Sequence, residues 1–418
     1  MGRQITPSPR LLACRGAEPG LPRICRWPLA TVRLRASPLN PDTVPHWITD
    51  PRELDHRIAR RPHRVGLDTE FIRERTYWPQ LALVQIALDD DILLVDTLAP
   101  GITDSLRPLL ADAAVLKVMH SPSEDLVAFR HACGVVPQPL FDTQAAAALA
   151  GIAAGMGYQR LVQDALGVAL AKGETRSDWL RRPLSPSQLE YAADDVRHLF
   201  ALHDALDARL LGLGREAWLQ EDCARMVANA ERDDGDRWPH LSLRAAQFLD
   251  EAARHRLLRL LRWREAHARR ADRPRSWILD NELAVLLARE PAGSLAQLQR
   301  QLDAHPKAPR KLADAIWQAL QTPLDDEAQA PEPRNEDRDK QALRRLQEAT
   351  ASRSADLGLP DGVLASRRWL EQLLAAAESG NRWPGPLSGW RRAELEPALG
   401  PILSPGEGGS GLAADTSV

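Results

Sequence analysis

Cysteine is scarce in this chain: four in 418 residues, at Cys14, Cys25, Cys133 and Cys223. Their scatter gives neither a zinc-type spacing nor a disulfide framework, which fits a reducing, cytoplasmic setting. Long apolar runs are missing too, so no segment reads as a membrane span. Neither sign of charge dominates: 54 Lys+Arg stand against 57 Asp+Glu, a formal net charge of −3. The chain as a whole therefore does not announce a polyanionic partner. Acids are missing locally instead, since Glu18 is the only one in the first 40 residues. That Arg- and Pro-rich leader lacks the apolar core of a signal peptide. Its dispersed prolines oppose the amphipathic helix of a transit peptide. Residues 1–45 are read as a disordered basic extension, or as upstream sequence included by a wrong start codon.

What is present is enough apolar material, 44% of residues, for two or three cores at about 100–200 residues per domain. From about residue 46 the chain turns regular. "RVGLDTEF", "LALVQIAL", "DILLVDTL" and "VLKVMHS" are short apolar, β-branched runs, and the first three are close enough to pair as antiparallel hairpins. Helical patterns follow: "SPSEDLVAFRHAC", with Ser121 expected as N-cap and Pro122 at the first helical position, then "LFDTQ", "YQRLVQDALG" and one long helix from about Pro186 to Leu211. Strands first and helices later predict an α/β domain with a mixed sheet, spanning 46–212.

Three places in this domain carry carboxylates that need explaining. In "VGLDTEF" a strand would point Asp68 and Glu70 to one side and Val65, Leu67 and Phe71 to the other. Two like charges side by side repel, so the pair is either a solvated strand end or half of a divalent-metal site. Asp125 lies in the opening turn of the helix after "KVMHS", where a carboxylate also serves simply to complement the helix dipole. In "EYAADDV", Leu189, Ala193, Val196 and Phe200 form the apolar stripe. Tyr191 and Asp195, four apart, stack on another face that reads by itself as solvated. Asp194, about 100° around the helix from Asp195, reads as a structural neighbour.

Together "LDTEF", "HSPSEDL" and "YAADDV" resemble the three motifs of the DEDD exonuclease superfamily, in its tyrosine branch. The histidine branch needs His where this chain has Glu190. "RTYWPQLALVQIA", "LFDTQAAAALAG" and "KGETRSDWLRRPLSPSQLEYAADDV" sharpen this to the ribonuclease D family, over about residues 46–403. One departure is Ser121-Pro122, where the family often has Ala-Gly. The resemblance implies a ribonuclease H-like α/β fold and 3′→5′ hydrolysis of RNA that releases nucleoside 5′-monophosphates, with trimming of tRNA precursors as the family role. It implies two divalent ions, Mg²⁺ or Mn²⁺. Asp68 would bridge them, Glu70 and Asp195 would complete the ion on the nucleophile side, and Asp125 would help hold the other through water. Hard cations prefer carboxylate oxygens, and a pair of them offsets charge on attacking and leaving oxygens. Tyr191 would orient the attacking water, because a phenol near pKa ~10 is a poor base at neutral pH. Lys172 would reach the terminal nucleotide, against the plainer reading of a solvated loop charge. His120 reads as a packing residue beside the site. A DNA exonuclease of the same fold and a catalytically dead nucleic-acid-binding protein are the alternatives; the presence of all four acids and Tyr191 opposes the second.

Beyond residue 237 the pattern is all helix. Residues 237–324 carry 16 Lys+Arg against 9 Asp+Glu, with Leu257, Leu260 and Leu261 at helical spacing, so the basic surface suits phosphate contact or is a solvated face. "LRWREAHARRADRPRSWILDNELAVLLA" resembles an HRDC domain. An acidic linker is expected at 325–340, a second HRDC-like domain at 341–403 and a disordered tail at 404–418. The expected protein is a monomer that acts on RNA away from membranes.

Overall fold

The computed structural model describes residues 43–403, apart from 61, 90, 172, 175–176, 233–234, 332–339 and 379–382. The basic extension up to residue 42, the tail and Lys172 lie outside the described residues. The first part is one six-stranded mixed sheet with helices packed on it. Its elements are β1 (His46–Ile48), α1 (Pro51–Ile58), β2 (Arg64–Ile72), β3 (Gln80–Ala87), β4 (Ile92–Asp96), α2 (Ile102–Ala111), β5 (Leu116–Met119), α3 (Ser123–Cys133), β6 (Leu140–Asp142), α4 (Thr143–Leu149), α5 (Tyr158–Leu166), α6 (Pro186–Arg197), α7 (Leu199–Leu213) and α8 (Glu216–Glu231). The strand order is β1-β4-β3-β2-β5-β6. The β2–β3 and β3–β4 pairs are antiparallel, as their short connections require, whereas β1–β4, β2–β5 and β5–β6 are parallel.

β2 is central and carries the first acidic pair. Gly66 lets α7 approach it: a Cβ there would sit 3.0 Å from that of Ala87 and 3.2 Å from Leu199. α3 and α6 both pack on β2 and β3, which brings the other two acidic motifs to the same strand. α6 starts where its sequence says it should. Pro186 stands at its first turn, and Ser185 and Gln188 form a reciprocal capping box.

Three local expectations are corrected. Ser121 does not cap α3. Its N–H is taken by Asp142 Oδ1 at 2.8 Å and it adopts a left-handed φ of 54°, so the helix starts at Ser123. "LFDTQ" is not helical throughout: Leu140–Asp142 pairs with β5, and Asp142 then caps α4. The long helix 186–211 is broken at His198 into α6 and α7.

The remainder is all helix: α9 (Glu251–Ala271), α10 (Arg275–Ile278), α11 (Asn281–Arg289), α12 (Leu295–Asp303) and α13 (Ala313–Gln321), then α14 (Lys340–Leu357), α15 (Arg367–Glu378) and α16 (Trp390–Leu403). α9 is the spine of the first group. Its Leu257, Leu260 and Leu261 are buried against Leu283, Leu287, Leu298 and Ile316. Many of its arginines are used internally. Arg259 pairs with Glu327 and donates to the Leu320 carbonyl, Arg262 pairs with Asp326, and buried Arg264 holds the Leu279 carbonyl and Asn281.

Each helical group is tied to the α/β part at its own place. Tyr77, in the loop after β2, is buried against α9. Its hydroxyl donates to Glu265 and accepts from Arg269 and Arg275, each at 3.0 Å. Asp272, at the end of α9, accepts the N–H groups of Tyr77 and Trp78 at 3.0 Å. On the other side, Arg391 clamps Asp222 of α8 and Trp390 stacks on Trp218 at 4.3 Å. Among the described residues no helix is long and apolar enough to cross a membrane.

Candidate metal and active site

Asp68 and Glu70 share one side of β2, and Asp195 comes to them from α6. One carboxylate oxygen from each lies within 4.8 Å of the other two. Asp125, in the first turn of α3, is buried and belongs to the same neighbourhood but stands outside that trio. Its Oδ1 accepts the hydroxyl of Thr69, the residue between the two strand acids.

Burial and neighbouring carboxylates make each of these acids hold its proton more tightly than a free carboxyl does. Asp68 is pushed well above the usual carboxylate range, by burial first and then by Asp195, Asp125 and Glu70. Glu70 is pushed up to about 9 by burial and then by Asp195 and Asp125. Asp195 is raised to about 7, mainly by burial, with the Tyr191 hydroxyl bond working the other way. Burial raises Asp125 to about 6 while the Thr69 hydrogen bond resists. Carboxylates clustered in this way are costly as bare anions and favourable around a hard cation.

Tyr191 stands one helical turn before Asp195 and hydrogen-bonds to it. Its phenol is raised above its usual range, by burial first and then by Asp195, Glu70 and Asp68. The ring is packed closely. Trp179 lies 6.1 Å away centroid to centroid, and a Cβ on Gly173 would come within 2.1 Å of Tyr191 Cε2. Only glycine lets the loop pass there.

The five residues Asp68, Glu70, Asp125, Tyr191 and Asp195 are thus brought to one place. Asp194 points elsewhere and pairs with Arg197 at 2.9 Å; Arg197 also holds Glu190 at 3.0 Å. His120 hydrogen-bonds Thr143 at 2.8 Å, and burial lowers it to about 4. It is a neutral packing residue.

Sequence reasoning missed Thr69 and Tyr158. Strict alternation turns Thr69 away from the acids on β2, yet its hydroxyl donates to Asp125 of α3, which packs on that strand. Tyr158, at the start of α5, sends its hydroxyl to the backbone at Asp194 and His198. One signal was available. The chain has three tyrosines, and outside the third motif only Tyr77 and Tyr158 remain to be explained.

The site sits inside residues 45–211, which match a family described as 3′-5′ exonuclease. The chain is 61% identical over 366 residues to the ribonuclease D of Xanthomonas oryzae pv. oryzae, covering 87% of this chain and 100% of the relative. It is 37% identical over 363 residues to the ribonuclease D of Pseudomonas paraeruginosa, covering 84% and 96%. The crystal structure of Escherichia coli RNase D, described as an exoribonuclease involved in structured RNA processing, superposes with a TM-score of 0.77. The identity is 30%, over 86% of this chain and 99% of that one.

Proposed function

This chain belongs to the ribonuclease D family and is a 3′-5′ exoribonuclease; we propose that Asp68, Glu70, Asp125 and Asp195 form its metal cage, that Tyr191 is its water-positioning group, and that it trims the 3′ ends of tRNA precursors and other structured RNA. The observation that carries the site reading is the convergence of three half-buried carboxylates within 4.8 Å, with no ion pair to Lys or Arg at any of the three among the described residues. The enzyme uses divalent metal, and the all-oxygen donor set favours Mg²⁺ or Mn²⁺. Two such ions bound there would sharpen an attacking water and offset charge on the leaving 3′-oxygen.

The chain's own residues divide the remaining work. Asp68, Glu70 and Asp195 would hold one ion, and Asp68 together with Asp125, steadied by the Thr69 hydroxyl, would help hold the other. Tyr191 accepts or donates a hydrogen bond at the attacking water and does not take its proton, because its phenol holds its own proton far above neutral pH. Cleavage of the last phosphodiester leaves a nucleoside 5′-monophosphate and a shortened strand with a new 3′-hydroxyl. By the family resemblance Lys172, outside the described residues, would reach the terminal nucleotide.

Residues 237–324 and 341–403 are HRDC-like and hold the body of the RNA. The charge for this is narrower than composition suggests, since the α9 arginines named above are committed inside the fold. Arg270, Arg273, Lys307 and Lys311 are exposed and form no ion pair among the described residues. A cavity of about 830 Å³ between the Tyr77 loop and α10–α11 is lined by Arg73, Arg264, Arg275 and Lys307, with Glu74, Asp280 and Glu282.

The test is turnover of 3′-structured RNA and matched DNA, 5′-labelled, in Mg²⁺ and in EDTA. Stepwise shortening of the 5′-labelled RNA from its 3′ end in Mg²⁺ only, abolished in Asp68→Asn, supports the proposal. Equal turnover of DNA, or activity retained in Asp68→Asn, overturns it.

A further inference from the structure

In an unbroken α-helix the carbonyl of residue 194 would accept the N–H of residue 198. Here that rung is absent and a side chain stands in it. The Tyr158 hydroxyl donates to the Asp194 carbonyl at 3.0 Å and accepts from the His198 N–H at 3.3 Å. The ladder of α7 begins with Leu202 N–H to the His198 carbonyl at 3.0 Å. A hydroxyl suits this place because it is donor and acceptor at once. The His198 N–H also meets the Val196 carbonyl, so the group that depends most on the hydroxyl is the Asp194 carbonyl, which the missing rung would otherwise leave without its helical donor.

The splice has a geometric consequence. With His198 at φ −105° and ψ 1°, α6 can lie on β2, β3 and β4 while α7 turns toward β5 and α4. The peptide that Tyr158 holds is the one joining Asp194 to Asp195. The tyrosine is itself braced, its ring edge-on to His120 at 5.6 Å. His120 follows β5 and leads into the turn before Asp125, so one side chain links the segments that bear the second and third acidic motifs.

We propose that Tyr158 is a positioning residue for Asp195: its hydroxyl replaces one rung of the helix and thereby sets where the last turn of α6 presents that carboxylate to the metal. This rests on the reading of Asp195 as a ligand.

The experiment compares the full-length protein with Tyr158→Phe, with Tyr158 replaced by para-methylphenylalanine, which fills the hydroxyl's space without a bond, and with Tyr158 replaced by para-aminophenylalanine, which restores a donor and an acceptor. Mn²⁺ affinity is read by calorimetry, together with the melting temperature without metal and the Mn²⁺ dependence of turnover on a short RNA. The two loss variants should bind Mn²⁺ more weakly by roughly ten- to a hundredfold, the scale of a missing outer hydrogen bond at a metal site. Their turnover should recover as Mn²⁺ is raised, and the para-amino variant should regain wild-type affinity. A purely architectural tyrosine would lower the melting temperature and leave Mn²⁺ affinity unchanged, and that result overturns the inference. Asp195→Asn is the control. If it binds Mn²⁺ as the wild type does, the ligand reading of Asp195 fails and this inference falls with it. If it loses affinity while the loss variants do not, only the inference fails.

Discussion

Binding of Mn²⁺ to the apoenzyme should expel protons, and the amount can be worked from the site. Glu70 is held at about 9, so at pH 6 it must give up its proton three units below its pKa and at pH 8 one unit below. Each unit corresponds to about 1.4 kcal/mol. The apparent affinity should therefore rise about tenfold per pH unit for each proton displaced, or roughly a hundredfold between pH 6 and 8 from Glu70 alone. Asp68 shifts in the same direction, and Asp195, at about 7, steepens the dependence below neutrality. Calorimetric titration of Mn²⁺ at pH 7 in two buffers of different ionisation enthalpy counts the protons released, and at least one per chain is expected. Glu70→Gln has no proton to release at this position and should flatten the pH dependence by about one unit of slope. Buffer-independent heats together with a flat affinity from pH 6 to 8 would show that the acids are already ionised. The account of a mutually repelling, proton-holding cluster would then be wrong.

Further outcomes follow from the same geometry. Tyr191→Phe should keep RNA affinity while single-turnover hydrolysis falls by ~10²-fold, the scale of a missing positioning group; an unchanged rate excludes that role. Without metal, the folded state binds the Glu70 proton more tightly than the unfolded chain, so its contribution to stability is full below about 4.5 and is lost as pH rises towards about 9. Thermal melts in EDTA should therefore decline over that window, and saturating Mn²⁺ should remove the decline. Lys117, buried and lowered to about 8 from its usual 10.5, acts with the opposite sign, its contribution rising only above pH 8. Replacing Arg270, Arg273, Lys307 and Lys311 together by Gln should weaken binding of tRNA-sized RNA to the Asp68→Asn protein. It should also lower the slope of log affinity against log salt by about 0.7–0.9 for each phosphate that these side chains neutralise. An unaltered slope would take these four residues off the RNA path.

Much of the α/β part was legible in the residues themselves. Alternation in "VGLDTEF" put Asp68 and Glu70 on one side of a strand, and i, i+4 spacing put Tyr191 over Asp195, because both are consequences of backbone periodicity within one element. Short connections made β2–β3–β4 antiparallel for an equally local reason. That the three acidic motifs meet came from resemblance, since no local rule says which elements will be neighbours. The rest depended on contacts between residues far apart in sequence. Ser121 fails as a cap because its backbone is left-handed, in a turn held by Asp142, 21 residues later, through the Ser121 N–H. The helix through residue 198 breaks where Tyr158, 40 residues earlier, occupies a rung of its ladder. Thr69 reaches Asp125 only because α3 packs on β2, and most α9 arginines are withdrawn from solvent by partners that composition cannot name. Periodicity and capping are properties of a single segment and are written in its residues. The choice of hydrogen-bond partner for a given N–H, carboxylate or guanidinium is made between segments, and only the folded chain decides it.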